Sequence, residues 1–356
     1  MEITAPISHI DEITPMIAAG ANELYCGVVP PSWVAQFNTG AVNRRYFGNL
    51  PNLAELEKAI ALAHAGGARL FLVLNAQHYG SNQTEMLVKL ARGFAEHGGD
   101  AVIVADMTLI ISLRAQVPEL AIHVSSVASC RNSAAIGLYR DLGVHRVILP
   151  RDVMIAEVVT MAHSMPDVEL EAFVLNDGCV FEEGVCHTVH LPSKQGGPIC
   201  VDSYDFHYSR RGGRAIPPRV ARRLHDHDED YKRWLWYRFG CGFTTTEEGF
   251  PFGPCGLCAI PRFAAAGLAS VKIAGREGAT ARKLKSVEMV RRVLDVQRSG
   301  EVENAVRATA VGVRNTLTHC QSGFMCYYPE LRWQVNAATG NPDFHQCTAV
   351  VTAPDR

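Results

Sequence analysis

Short apolar runs alternate with longer segments of helical periodicity along the first 175 residues of the chain. In the helical segments, apolar residues recur every three or four positions. Several of the runs between them, such as FLVL, AVIV and RVIL, are apolar almost throughout, which is typical of parallel strands covered on both faces. The pattern predicts strands at Glu2–Pro6, Glu23–Gly27, Arg69–Asn75, Ala101–Ala105, Ala121–Ser125, Arg146–Pro150, Val168–Leu175 and Ser270–Ile273.

Eight such units favour an α/β fold of the closed TIM-type (β/α)8 class over an open doubly wound sheet. The barrel is predicted to span residues 1–300, with a C-terminal extension at 301–356. An irregular, cysteine-rich insertion at residues 176–254 separates the seventh strand from the eighth. Because a segment that leaves the carboxyl end of a barrel strand reaches the face where barrel active sites lie, we expect the insertion to carry chemistry.

Composition narrows the class of protein. With 47% hydrophobic residues, 20% charged residues and a net charge of -2 among 356 residues, the chain is typical of a globular protein without a global basic excess for nucleic acid. It shows neither a secretory signal pattern after Met1 nor an apolar run of about 18 residues, so we expect a cytoplasmic protein without a membrane span. In that reducing compartment, the eleven cysteines indicate metal binding or catalysis more than disulfides.

Six cysteines lie in the insertion or at its edge, and thiolates are the soft ligands that zinc and iron–sulfur clusters prefer. They are Cys179, Cys186, Cys200, Cys241, Cys255 and Cys258. Only the last two form the short-spaced pair that structural zinc uses, whereas the first three are spread as in a cluster held by a long loop. The alternative is that the thiols are small buried hydrophobes, which suits Cys26 and Cys130 in the barrel pattern.

Three segments resemble peptidase family U32. They are FVLNDGCVFEEGVC at residues 173–186, ICVDSYDF around Cys200, and AAAGLASVKIAGR at residues 264–276. Weaker similarity in the first half includes AGANELYCG, the Asn75 strand end, VAD, IHVSS with His123, and LPR with Arg151. The resemblance covers roughly residues 2–295, and the sequence departs from it at Ala274, where the family pattern KIEGR has glutamate.

The resemblance implies a TIM-like barrel and a [4Fe–4S] cluster bound by four cysteines, with zinc as the alternative metal. For the fourth ligand after Cys179, Cys186 and Cys200, Cys241 matches the ubiquinone-hydroxylation members by order and distance, Cys255 matches a cysteine of other members, and Cys258 remains an open alternative. Members of this kind support oxygen-independent hydroxylation of ubiquinone precursors, transfer RNA or ribosomal RNA, with prephenate implicated as the oxygen source. The family name comes from collagenase-like peptidases, although the chain carries neither GxSxG nor HExxH.

Five polar residues at strand ends are candidate catalytic groups at the barrel mouth. Lys272 and Arg276 lie at the end of the eighth strand and Arg151 at the end of the sixth, where cations would bind phosphate or carboxylate. His123 lies on the fifth strand and Asn75 ends the third. The alternatives are helix caps or surface positions for the cations, a core position for the histidine and a turn for the asparagine.

Three functions are open. The first is an iron–sulfur enzyme that assists hydroxylation of a small molecule or an RNA base, the second is a metal-stabilised partner subunit of a homo- or heterodimer, and the third is a U32 peptidase. RNA is suggested by a basic run followed by aromatic residues, which could pair with phosphates and stack on bases. The run contains Arg210, Arg211, Arg214, Arg219, Arg222, Arg223, Trp234, Trp236 and Tyr237.

Overall fold

The fold was examined in a computed structural model of the chain. It describes residues 1–37, 42–45, 47–179, 183–185, 204–235, 245–315, 320, 326–332, 334–335 and 342–343. Within this described part, no helix is long and apolar enough to cross a membrane.

Eight parallel strands form a closed barrel. The strands in chain order are β1 (Glu2–Pro6), β2 (Glu23–Val28), β3 (Asn49–Leu50), β4 (Arg69–Leu74), β5 (Ala101–Val104), β6 (Ala121–Val124), β7 (Arg146–Ile148), β8 (Glu169–Leu175) and β9 (Ser270–Ile273). The two-residue β3 pairs only with the end of β2, and the other eight close because β1 pairs with both β2 and β9. This confirms the predicted TIM-type barrel and excludes the open sheet.

Helices lie between the strands and cover the barrel. They are α1 (Ile13–Ala18), α2 (Pro31–Gln36), α3 (Leu53–Ala65), α4 (Ser81–Glu96), α5 (Met107–Gln116), α6 (Ser133–Asp141), α7 (Ile155–Ser164), α8 (Pro218–Leu235), α9 (Ile260–Ala265), α10 (Thr280–Arg298) and α11 (Glu303–Arg314). Two short strands, β10 (Gln334–Val335) and β11 (Pro342–Asp343), pair with each other. Side chains of Asn52, Asp106 and Asn132 cap α3, α5 and α6 by accepting backbone N–H groups, which satisfies donors that a helix start leaves open.

An ion network fills the amino-terminal end of the barrel interior. Arg146, the first residue of β7, is fully buried and donates to Glu23 on β2 at 2.6 Å and to Glu171 on β8 at 2.8 Å. The same guanidinium reaches Ser270 on β9 at 3.1 Å. The planar guanidinium of Arg146, with its several N–H donors, thus connects strands from several sides of the barrel.

The C-terminal segment packs directly beside β8. The backbone of Cys255 bridges to Leu175 on one side and to Cys326 on the other, and Gly256 N–H donates to the Val174 carbonyl at 2.7 Å. The Tyr328 hydroxyl donates to the Phe173 carbonyl at 2.9 Å. Residues after α11 therefore contact the carboxyl end of β8, next to the barrel mouth.

Candidate functional site

The turn after β8 is held by several hydrogen bonds. Asn176 and Asp177 both have left-handed backbone, with φ of 61° and 55°, a conformation that costs free energy for residues other than glycine. The Tyr327 hydroxyl donates to both of their carbonyls. The Asn176 side chain also donates to the Ser286 hydroxyl at 2.8 Å. The surrounding contacts fix a chain conformation that would otherwise be unfavourable, directly before Cys179.

Asp177 is paired with a cation from the opposite side of the mouth. Its carboxylate accepts a hydrogen bond from Arg45, which also contacts Glu277 at 3.3 Å. Burial would raise the pKa of Asp177, but Arg45 and Arg151 lower it below its usual value. Asp177 is therefore a fixed negative charge beside the predicted Cys179 ligand.

Arg151 follows β7 at the carboxyl end of the barrel. Its guanidinium is 3.8 Å from the centre of the Phe173 ring and pairs with Glu183 of the insertion. Glu183 also accepts the Arg151 backbone N–H at 3.0 Å and the Ser126 hydroxyl at 2.7 Å. Within the described part of the chain the buried Nε of Arg151 has no acceptor. The pair attaches the Glu183 segment to the mouth and leaves one guanidinium donor unsatisfied.

Lys272 points into the barrel from β9. Its ammonium is 2.6 Å from a Glu171 carboxylate oxygen and 4.1 Å from the centre of the Tyr25 ring. Burial lowers the pKa of Lys272, and Glu171 opposes this shift. Burial would raise the pKa of Glu171, but Lys272 and Arg146 hold it well below its usual range. Lys272 and Glu171 thus form a buried ion pair. Because Glu171 also accepts a hydrogen bond from Arg146, this pair is continuous with the Arg146 network.

The other sequence candidates have mainly internal partners. Arg276 is buried and donates to the Gly48 carbonyl at 3.1 Å and to Asn43 at 3.0 Å, so it holds the loop before β3. Asn75 donates to the Ser125 hydroxyl at 3.2 Å across two strand ends. His123 is buried on β6, where its ring lies edge-on to Phe71.

The described cysteines lie in different places. Cys26 and Cys130 are buried in the core, and Cys179 is half-buried two residues after Asp177. Three of the predicted ligands, Cys186, Cys200 and Cys241, lie outside the described residues. The cluster assigned to them therefore stays a prediction.

Cys255 and Cys258 lie beside Cys320 and Cys326, around a cavity whose lining does not include Cys179. Burial raises the pKa of Cys326 to about 12, with Cys255 adding to the shift. Burial also raises the pKa of Cys258 well above the usual thiol range. The two alternatives for a fourth ligand thus form a group with the C-terminal cysteines.

Sequence reasoning missed Glu171, Asp177, Tyr327 and Arg45. For Glu171 a signal was present, because a carboxylate inside an otherwise apolar strand requires a buried partner. The other three carried no comparable signal, because their roles depend on contacts between distant segments, such as the 151 residues that separate Tyr327 from Asn176.

Two named bacterial proteins are similar in sequence to this chain over about half its length. The tRNA hydroxylation protein P of Escherichia coli (strain K12) is 28% identical over 186 residues, which are 52% of this chain and 38% of that protein. The tRNA hydroxylation protein P1 of Bacillus subtilis (strain 168) is 24% identical over 221 residues, or 60% of this chain and 49% of that protein. The matched part is thus less than half of each of these two relatives.

Two solved structures also show similarity. The U32 peptidase Mk0906 aligns with a TM-score of 0.39 and 17% identity, over 48% of this chain and 67% of that chain. N-acetylneuraminate lyase from Fusobacterium nucleatum complexed with pyruvate aligns with a TM-score of 0.45 and 8% identity, over 90% of this chain and 81% of that one. The family model described as Peptidase family U32 matches residues 8–335, which include every barrel element from α1 to β9 and leave out only β1. The chain therefore belongs to peptidase family U32.

Proposed function

We propose that this chain binds RNA and takes part in the hydroxylation of one of its bases. The observation that carries the proposal is one stretch of chain, residues 204–223, in which exposed aromatic rings are followed by exposed arginines; it is here called the arginine–aromatic face. It comprises Tyr204, Phe206, Tyr208, Arg210, Arg211, Arg214, Arg219, Arg222 and Arg223. The names of the relatives, tRNA hydroxylation protein P and P1, give the reaction and the class of RNA.

The aromatic part of this face is arranged for stacking. Tyr204, Phe206 and Tyr208 alternate along the segment before α8 and are 42%, 45% and 42% exposed. The Phe206 ring stacks near Tyr208 at 6.3 Å and lies edge-on to Tyr231 of α8 at 5.4 Å. Large exposed rings beside cations are the common means by which proteins hold single-stranded RNA, since every base has a face that can stack.

The arginines of this face lie in the turn before α8 and in the first half of α8. Arg219, Arg222 and Arg223 are exposed and recur at helical spacing, whereas the acidic residues of α8 follow them. Phosphate pairing with such side chains supplies affinity that depends on salt and little on sequence. We therefore assign RNA backbone binding to this half of the helix.

The barrel mouth is the proposed place of the reaction. Arg151 stacks on Phe173 and its Nε has no acceptor among the described residues, so a small organic carboxylate such as a prephenate-like oxygen donor would find a hydrogen-bond donor there, whereas Lys272 is already paired with Glu171. The proposed ligands of a [4Fe–4S] cluster are Cys179, Cys186, Cys200 and Cys241. Such a cluster supplies electron transfer or, with one open iron, Lewis acidity.

Charge reversal tests the RNA face. We expect Arg219→Glu/Arg222→Glu/Arg223→Glu to weaken binding of fluorescently labelled tRNA at least about tenfold at 0.1 M salt, and to reduce the slope of log Kd against log salt by roughly 2. The measurement is fluorescence anisotropy across a salt series. The matched control, Lys58→Glu/Lys89→Glu/Arg140→Glu, reverses three exposed cations on other helices and should change Kd less than about threefold. Equal weakening by both triple variants would contradict the assignment.

The reaction itself is tested by nucleoside mass spectrometry. Anaerobically purified protein with a reconstituted cluster is incubated with prephenate and tRNA from cells that lack the modification, and the digested nucleosides are searched for a species heavier by one oxygen atom. Product is expected with the wild type and not with Cys179→Ser. Product of equal yield from both proteins, or none from tRNA and ribosomal RNA, would refute the proposed function.

A further inference from the structure

Four cysteines line one small cavity outside the barrel, next to β8. Cys255 and Cys258 come from the segment that leads into α9, and Cys320 and Cys326 come from the segment after α11. The cavity has a volume of about 40 Å³, room for roughly three water molecules. We call it the four-cysteine cavity.

The backbone on both sides of the cavity is fixed. Cys255 and Cys326 form a parallel bridge, in which Tyr327 N–H donates to the Cys255 carbonyl at 2.9 Å. The buried Arg314 donates to the carbonyls of Pro251 at 2.6 Å and Phe252 at 2.7 Å, just before Cys255. The thiols of Cys255 and Cys326 are therefore presented by segments whose positions are set by other contacts, as a preorganised ligand set requires.

Two features of the surroundings would offset the charge of a sulfur-bound group, against the burial of the site and the hydrogen bond from the Cys326 thiol to the Tyr328 carbonyl at 3.2 Å. Leu257 N–H points at the Cys255 sulfur at 3.5 Å, and backbone donors to thiolate sulfur are a usual means of tuning iron–sulfur clusters. Two arginines, Arg314 and Arg332, line the cavity. Their charge would offset the negative charge that four thiolates bring to a buried place.

The space between the sulfurs indicates which metal group fits. A zinc ion bound by four thiolates lies about 2.3 Å from each sulfur, so its ligands converge on a single point. In the described part of the chain, no three histidine, cysteine, aspartate or glutamate side chains are grouped as ligands of a single ion are. Four cysteines separated by a cavity suit a polynuclear core, which fills the space between its ligands.

We infer that Cys255, Cys258, Cys320 and Cys326 bind a [4Fe–4S] cluster that is distinct from the cluster proposed for Cys179, Cys186, Cys200 and Cys241. The two sets are connected through short stretches of chain: Cys255 bridges to Leu175 at the end of β8, four residues before Cys179. Tyr327, next to Cys326, holds the turn that precedes Cys179. The second cluster would thus lie beside the barrel mouth and fix the segment that shapes it.

Iron and acid-labile sulfide per chain test this inference. With both sets loaded we expect about eight iron and eight sulfide atoms in the anaerobically reconstituted wild type, and about four of each in Cys258→Ser/Cys320→Ser. The double variant Cys179→Ser/Cys186→Ser should also retain about four. The control Cys130→Ala, which changes a buried core cysteine outside both sets, should retain the wild-type content. Electron paramagnetic resonance of the reduced proteins gives an independent measure of each cluster.

The iron content also distinguishes a failure of this inference from a failure of the cluster proposed for Cys179, Cys186, Cys200 and Cys241. If only the four-cysteine cavity binds iron, the wild type holds about four atoms, and Cys258→Ser/Cys320→Ser loses them while Cys179→Ser/Cys186→Ser does not. Wild-type iron and sulfide in Cys258→Ser/Cys320→Ser would overturn the inference, and so would stoichiometric zinc without sulfide at this site. Should that variant not fold, the quadruple variant Cys179→Ser/Cys186→Ser/Cys200→Ser/Cys241→Ser decides: a folded protein with about four iron atoms supports the inference, and one without iron overturns it.

Discussion

His123 shows how the barrel interior changes a single ionisable side chain. It is 3% exposed and its ring lies edge-on to Phe71, with 4.6 Å between ring centres. Within the described residues its Nδ1 has no hydrogen-bond partner. Burial, and next the positive charge of Arg146, lower the pKa of His123 well below its usual value of 6.5, although the nearby Glu171 acts in the opposite direction. The histidine is therefore neutral in the folded protein near pH 7.

This predicts a loss of stability as the pH falls below about 6.5. Between that value and the lowered pKa, the unfolded chain takes up a proton at His123 that the folded protein does not, so the free energy of unfolding falls by up to about 1.4 kcal/mol per pH unit. Urea unfolding between pH 8 and pH 5 should show this slope for the wild type, and a correspondingly smaller slope for His123→Asn. Parallel curves for the two proteins would show that His123 is not held neutral.

At the level of elements, β8 and the turn after it connect the barrel to both cysteine sets. The strand carries Glu171 and Phe173 into the barrel, while its end pairs with the backbone of Cys255. The left-handed turn at Asn176 and Asp177 persists because Tyr327 satisfies two carbonyls there. A segment after α11 is thus part of the same structural unit as the seventh barrel strand predicted from the sequence.

Removing the Tyr327 hydroxyl should destabilise this unit. Tyr327→Phe leaves the ring in place but two buried carbonyls without their donor, and we expect the free energy of unfolding to fall by about 1–3 kcal/mol. The control Tyr208→Phe removes a hydroxyl that is bonded to Asp228 at the surface, and should change stability by less than about 0.5 kcal/mol. Urea denaturation of both variants measures the difference. An effect of Tyr327→Phe no larger than that of the control would show that the hydroxyl does not stabilise the turn.

Across the whole molecule, closure of the barrel depends on charges as well as on apolar packing. Apolar side chains of the strands and helices form one continuous core. Inside the barrel, however, Arg146 connects Glu23, Glu171 and Ser270, which come from three other strands. Each buried carboxylate is acceptable there only because a cation and further donors surround it.

We therefore expect Arg146→Met to destabilise the barrel by about 3–5 kcal/mol, because two buried carboxylates lose their shared cation. Arg140→Met removes an exposed arginine of α6 that pairs with Asp141, and should change stability by less than about 1 kcal/mol. Thermal and urea unfolding measure both variants. Adding Glu23→Gln to Arg146→Met should restore part of the loss, and the absence of any restoration would contradict a role for the charge.

The sequence by itself determined the barrel, because strand and helix periodicities are local properties and eight alternating units have few ways to pack. The sequence did not predict short elements such as β3 and α2, because they contain too few residues to show the periodicity of a strand or a helix. The sequence also indicated that Lys272 and Arg151 would lie at strand ends, since the end of an apolar run is visible from the residues that follow it.

Only the tertiary structure decided which groups meet. That Lys272 pairs with Glu171 follows from strand register and barrel closure, and that Cys255 lies beside Cys326 follows from the packing of both segments next to the end of β8. A shift of one residue along a strand would turn each side chain to the other face, so no local pattern contains this information. The sequence thus determined that soft ligands and cations are present, and the fold decided their partners.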